Sequence, residues 1–204
     1  MELYGRDAAE QRVKAELDDF FGQARTQVSR AIGYPPRLES IARVDFYAHE
    51  QQLALALYRA LRPVWQQAAE QVNLCDPVAD RRALDRAILD RAQQQALSQA
   101  NRITNTTRRQ VAAAIADHAA GRIGRRDYYS RLRTIFTGPR LDAMATTMVT
   151  QAAVGGMELA VRACERAQGQ QYRRVWKISD RERACQICLP LNGTDKDVWG
   201  LRFP

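Results

Sequence analysis

The chain has 204 residues, enough for one or two domains with a core that needs no covalent staples. Hydrophobic residues make up 46% and charged ones 26%, which excludes a disordered chain, and no run reaches the roughly 18 apolar residues of a membrane span. The net charge is +8 and is carried almost entirely by arginine, Lys14, Lys177 and Lys196 being the only lysines. The opening MELYGRDAAEQRVKAELDDF is charged throughout and has no apolar centre, so it is not a secretory signal, and a protein that is intracellular or assembled inside a cell is expected.

Helix follows helix over the first two-thirds. In AAEQRVKAELDDFFGQARTQVSRAI, Val13, Leu17, Phe20, Phe21, Ala24, Val28 and Ile32 recur at three- and four-residue steps and form one apolar stripe. Gly33 and the Pro35-Pro36 pair end it. A second helical run, from about Leu38 to Asn73, stacks His49, Leu53, Leu57, Leu61, Val64, Trp65, Ala68 and Val72, and Pro63 within it predicts a kink or break near Leu61. Asp76 before Pro77 suits the N-cap and first position of a third helix, with Leu84, Ala87, Ile88, Arg91, Ala92 and Gln95 along one side. Thr106 or Thr107 is expected to cap a further helix ending at Gly121. GRRDYYSRLRTIF then gives a short amphipathic helix with Tyr129, Leu132 and Phe136 inward. RLDAMATTMVTQAAVGGMELAVRACERAQG reads as a long, weakly polar helix bearing Met144, Met148, Ala152 and Leu159. Gly155-Gly156 in its middle costs about 1 kcal/mol per glycine relative to alanine, a cost usually accepted where another backbone comes close.

After Gly169 the pattern alternates. QYRRVWKIS is strand-like, and Asn192-Gly193 is a hairpin turn signal. The expected architecture is mainly α, a multi-helix body with a small C-terminal β-hairpin-containing unit, α+β overall. Its expected divisions are an N-terminal helical region over 1–100, a helical part over 101–169 and a small β/CxxC unit over 170–204. No internal repeat, phosphate-cradling glycine loop or nucleophile elbow occurs in the sequence, and no catalytic carboxylates are expected, so the chain reads as a non-enzyme.

Two features carry chemistry. Between Ala100 and Arg140 stand nine arginines, Arg102, Arg108, Arg109, Arg122, Arg125, Arg126, Arg131, Arg133 and Arg140, against two acids, Asp117 and Asp127. Such a stretch suits nucleic acid or an acidic protein partner, the planar guanidinium favouring two-pronged contact with phosphate or carboxylate. The plainer alternative is a solvated basic helix face. The second feature is RACQICLPLNG. Of the four cysteines, Cys75 lies in a turn and Cys164 suits a small core position, while Cys185 and Cys188 have knuckle spacing. A structural zinc site wants four tetrahedral ligands, and the only histidines, His49 and His118, lie in helical runs. A redox pair wants the motif at the start of a helix, whereas here a turn follows it. Cys185 and Cys188 read first as unmetallated small residues, next as half of a zinc knuckle completed by residues missing from this chain, and last as a redox pair.

The C-terminal half, roughly Ala100 to Pro204, resembles the head-morphogenesis or minor head proteins of Mu-like and related tailed phages. Thr150, Trp176, Asp180, Arg183, Cys185, Cys188, Leu191 and Gly193 stand in that family's order. AAGRIGRRDYYSRLRTIF is similar to the family's upstream helix. Gln151 replaces the usual Glu, and Gly155 or Gly156 stands where the family has Asn. The family continues with a His-Pro-x-Cys-Arg-Cys segment beyond a phrase like LRFP, so zinc is expected only if the natural chain continues past Pro204. The resemblance implies a structural virion protein, present in few copies and oligomeric inside the head. It would associate with the portal and other head proteins, act in DNA packaging or ejection, and pass through the host cytoplasm during assembly. Non-specific double-stranded DNA is an expected partner and a membrane is not. The alternative is a helical nucleic-acid-binding module with a zinc knuckle.

Overall fold

The computed structural model describes residues 5–72, 81–137 and 140–173, together with Val175 and Gly193. In chain order it forms α1 (Arg6–Ile32), a 3-10 turn (Leu38–Arg43), α2 (Phe46–Glu70), α3 (Arg81–Ala119), α4 (Arg125–Ile135) and α5 (Arg140–Gln168).

α1 buries Val13, Leu17, Phe21, Ala24, Val28 and Ile32 on the expected stripe. It stops at Gly33, whose φ of 69° turns the chain away while its N–H still reaches the Ser29 carbonyl at 3.1 Å. The second run divides. Leu38–Arg43 winds as a 3-10 turn, and α2 starts only where the Asp45 carboxylate accepts the Ala48 N–H at 2.9 Å. α2 then passes through Pro63 as one element, so of the expected kink or break near Leu61 the chain does not break. Leu57, Leu61, Val64, Trp65 and Ala68 are buried on both sides of the proline, so tertiary packing outweighs the one hydrogen bond it removes.

α3 is a correction. The helix expected to begin at Thr106 or Thr107 is the continuation of one 39-residue helix. Its buried positions, including Ala92, Ala96, Ala100, Ile103, Thr107, Val111 and Ile115, repeat at three- and four-residue steps without interruption. Thr107 is a stripe residue rather than a cap, and Arg91, placed on the stripe by spacing, is exposed. The proposed Asp76-Pro77 start lies outside the described residues. In α4 the inward row is Tyr128, Leu132 and Phe136, at steps of four, and Tyr129 is the exposed neighbour.

Four long helices pack as an up-down-up-down bundle. α1 runs antiparallel to α2, since Gln27 meets His49 at one end while Gly5 lies against Gln67 at the other. α3 runs antiparallel to α2, with Asn101 donating to Glu50 at 3.1 Å and Arg108 over Phe46. α5 runs antiparallel to α1, held by Thr146 donating to Glu10 at 2.9 Å and by the Lys14–Asp142 ion pair at 2.6 Å. α2 and α5 are therefore parallel, and they approach closely at the glycine pair. A Cβ on Gly155 would fall 2.2 Å from the Trp65 ring, and one on Gly156 would fall 2.4 Å from the Trp65 carbonyl oxygen. Trp65 is fixed in turn by Gln95 of α3, which accepts its indole N–H at 2.6 Å and donates to the Met148 carbonyl of α5 at 3.1 Å.

The C-terminal β-hairpin unit is corrected as well. Among the described residues there is no strand or sheet, only helix, turn and an isolated bridge at Val175. The residues just past α5 serve its end. Gly169 takes φ 65°, the Gln170 N–H returns to the Glu165 carbonyl at 3.2 Å, and the Tyr172 N–H donates to the Glu165 carboxylate at 2.9 Å. A short alternating segment makes a strand only when a partner takes its backbone groups, and a lone hairpin is marginal in water. The rest of 174–204 lies outside the described residues.

Candidate nucleic-acid interface

The turn between α3 and α4 fixes one end of the bundle. Gly121, at φ 69°, donates its N–H to the His118 carbonyl at 3.0 Å, and the Arg122 N–H reaches the Asp117 carbonyl at 2.9 Å. The His118 Nδ1 bonds the Ile123 carbonyl at 3.0 Å. Asp117 then joins turn and helix. Arg122 Nε donates to one of its oxygens at 2.8 Å, and Arg131 of α4 donates to the other. The hydrogen bond from Arg122, and next the one from Arg131, hold the Asp117 carboxyl below its ordinary 3.8.

All eight arginines expected to contact a polyanion, Arg102, Arg108, Arg109, Arg122, Arg125, Arg126, Arg131 and Arg133, are exposed. The structure gathers most of them, not all. Arg108 and Arg109 line an open groove with Leu38, Ile41, Ala42 and Asn105, where the 3-10 turn lies on α3. The Arg108 guanidinium sits 5.9 Å from the Phe46 ring centre. Arg122, Arg125, Arg126, Arg131 and Arg133 surround α4 just beyond. Arg102 stands two helical turns back, beside Met144 and Thr147 of α5. Arg126 and Arg133 make no ion pair among the described residues, whereas Arg122 and Arg131 share Asp117.

Sequence reasoning missed two components of this end. Arg37 and Arg43 flank and finish the 3-10 turn and are exposed there. Tyr34, next to the cis Tyr34-Pro35 bond, stacks on Tyr129 with ring centres 6.1 Å apart and planes 25° apart. Arg125 lies 4.6 Å from the Tyr34 ring centre and 5.9 Å from that of Tyr129. The signal for the aromatic part was the Tyr128-Tyr129 pair itself, one member of which must face out of an amphipathic helix.

His49 occupies a different place. It is buried between α1, α2 and α3, bonded to Gln27 and set edge-on to Phe20 and Phe46. Desolvation there pushes its pKa below the ordinary 6.5, against the opposing pull of Asp45. Cys164, expected as a small core residue, is buried at 1% exposure and disulfide-bonded. Cys75, Cys185 and Cys188 lie outside the described residues. Among the described residues no three of His, Cys, Asp and Glu stand together as metal donors, and Cys185 with Cys188 would supply only half of a tetrahedral set. Among the same residues no helix is long and apolar enough to cross a membrane.

Comparison with known proteins adds no relative: no family model, no curated protein and no solved structure matches this chain.

Proposed function

We propose that the protein is a structural minor head component of a tailed phage that works by offering guanidinium groups to DNA. The observation that carries this reading is the concentration of exposed arginines around α4 and the 3-10 turn. Few acids oppose them. Asp117 is engaged by Arg122 and Arg131, Asp45 caps α2, and Glu39 and Asp127 remain. Guanidiniums on a rigid helical end neutralise phosphates without reading base sequence, and the binding energy comes largely from released counterions. The resemblance over Ala100–Pro204 supplies the setting: a head interior, a portal partner, and a role in packaging or ejection.

The test is retention on heparin and on random duplex DNA across a salt series. Binding that weakens log-linearly with salt, at about 0.9 in slope per phosphate contacted, supports the reading. No binding at low salt removes the DNA role.

A further inference from the structure

Tyr34, Tyr129 and Arg125 form an arrangement that duplex binding does not use. The two rings come from separate elements, the loop after α1 and the outer side of α4, and are 45% and 42% exposed. Tyrosines so exposed are ordinarily scattered, but these two stack on each other. Arg125 lies over both rings, closer to Tyr34 than to Tyr129. The platform is also stiffened from beneath. His118 lies 5.7 Å from Tyr34 and 5.4 Å from the buried Tyr128, which meets Tyr129 edge-on at 5.4 Å. Two half-exposed, mutually stacked rings thus sit among the guanidiniums of α4.

We infer that Tyr34, Tyr129 and Arg125 form a stacking platform for unpaired bases, so that this end of the bundle binds single-stranded nucleic acid in preference to duplex. The inference rests on the polyanion-binding reading above and narrows it. Every base has a π-face, so stacking on tyrosine and on a guanidinium plane is tolerant of sequence, while neighbouring arginines hold the phosphates. A duplex conceals its base faces and engages the arginines alone. An acidic peptide likewise pairs with the guanidiniums and leaves the rings idle.

The experiment measures binding of the full chain by fluorescence anisotropy at one low salt concentration. The ligands are an oligo-dT of roughly ten nucleotides, an abasic phosphodiester of equal length and a duplex, with poly-glutamate as competitor. The expected result is that oligo-dT binds roughly tenfold tighter than the abasic chain. Tyr34→Ala and Tyr129→Leu should abolish that difference, and Tyr129→Trp should keep it. Arg126→Gln and Arg133→Gln should weaken both single-stranded ligands alike. Equal affinity for oligo-dT and the abasic chain, or poly-glutamate competing as well as oligo-dT, overturns the stacking platform and leaves the electrostatic reading standing. Absence of binding to every nucleic acid overturns both. Thermal melts of the Tyr34 and Tyr129 variants separate lost stacking from lost folding, and Tyr129→Trp decides the matter if either truncation unfolds.

Discussion

At the residue scale the most informative positions are the ones where a small change reverses its usual sign. Alanine ordinarily improves on glycine within a helix by about 1 kcal/mol. At Gly156 the added methyl meets the Trp65 backbone, so Gly156→Ala should destabilise by roughly 1–3 kcal/mol, read as a lower urea midpoint. Gly155 faces the Trp65 ring instead. Trp65→Phe should therefore rescue Gly155→Ala in part and leave Gly156→Ala unrelieved. The hydroxyls of Thr104 and Thr107 are buried with no hydrogen-bond partner among the described residues. Replacing either with valine removes a desolvated polar group and should hold or raise stability, by up to about 1 kcal/mol. His49 sets a pH dependence. An unfolded chain takes the imidazole proton near 6.5, whereas the fold admits it only at lower pH. Between those values the unfolded state binds more protons, so stability falls as pH drops through the window. Denaturant midpoints should decline from about pH 7 to about pH 5, and His49→Gln should flatten that decline.

At the scale of elements, legibility followed the size of the buried side chains. The α1 stripe, built on Val13, Leu17, Phe21 and Val28, could be read directly because large apolar residues mark the period. The α3 stripe is mostly alanine and threonine, residues equally at home outside a core, so TNTTRRQ looked like a boundary when it is the middle of a helix. Only the neighbouring α2 explains why small residues are wanted there. At Pro63 a local rule allowed a kink or a break, and burial on both sides of it keeps the helix unbroken. The start of α2 was missed because Asp45 precedes Phe46 without any change in the surrounding hydropathy. Asp45→Ala should cost about 1 kcal/mol by removing the acceptor for the Ala48 N–H, measurable by chemical denaturation. Its effect should be additive with that of Gly156→Ala, which lies far from it in the bundle.

For the whole molecule, the arginines were visible in the sequence as a count and a span, but their convergence was not. Arg102 and Arg133 look equivalent along the chain, yet the bundle leaves one beside α5 and sets the other on α4. Arg37, Arg43 and Tyr34 join the same end only because the loop after α1 folds back over α3. Asp117 restrains two members of the cluster, so Asp117→Asn should free Arg122 and Arg131 and shift heparin elution to higher salt. The contact between Trp65 and the glycine pair has a further effect on the molecule's shape. It draws two of the four long helices together across the middle, so the cross-section is a rhombus with its short diagonal shut. Other bundles hold haem or paired metals along their axis; here, at the level of Trp65, indole and backbone fill that axis.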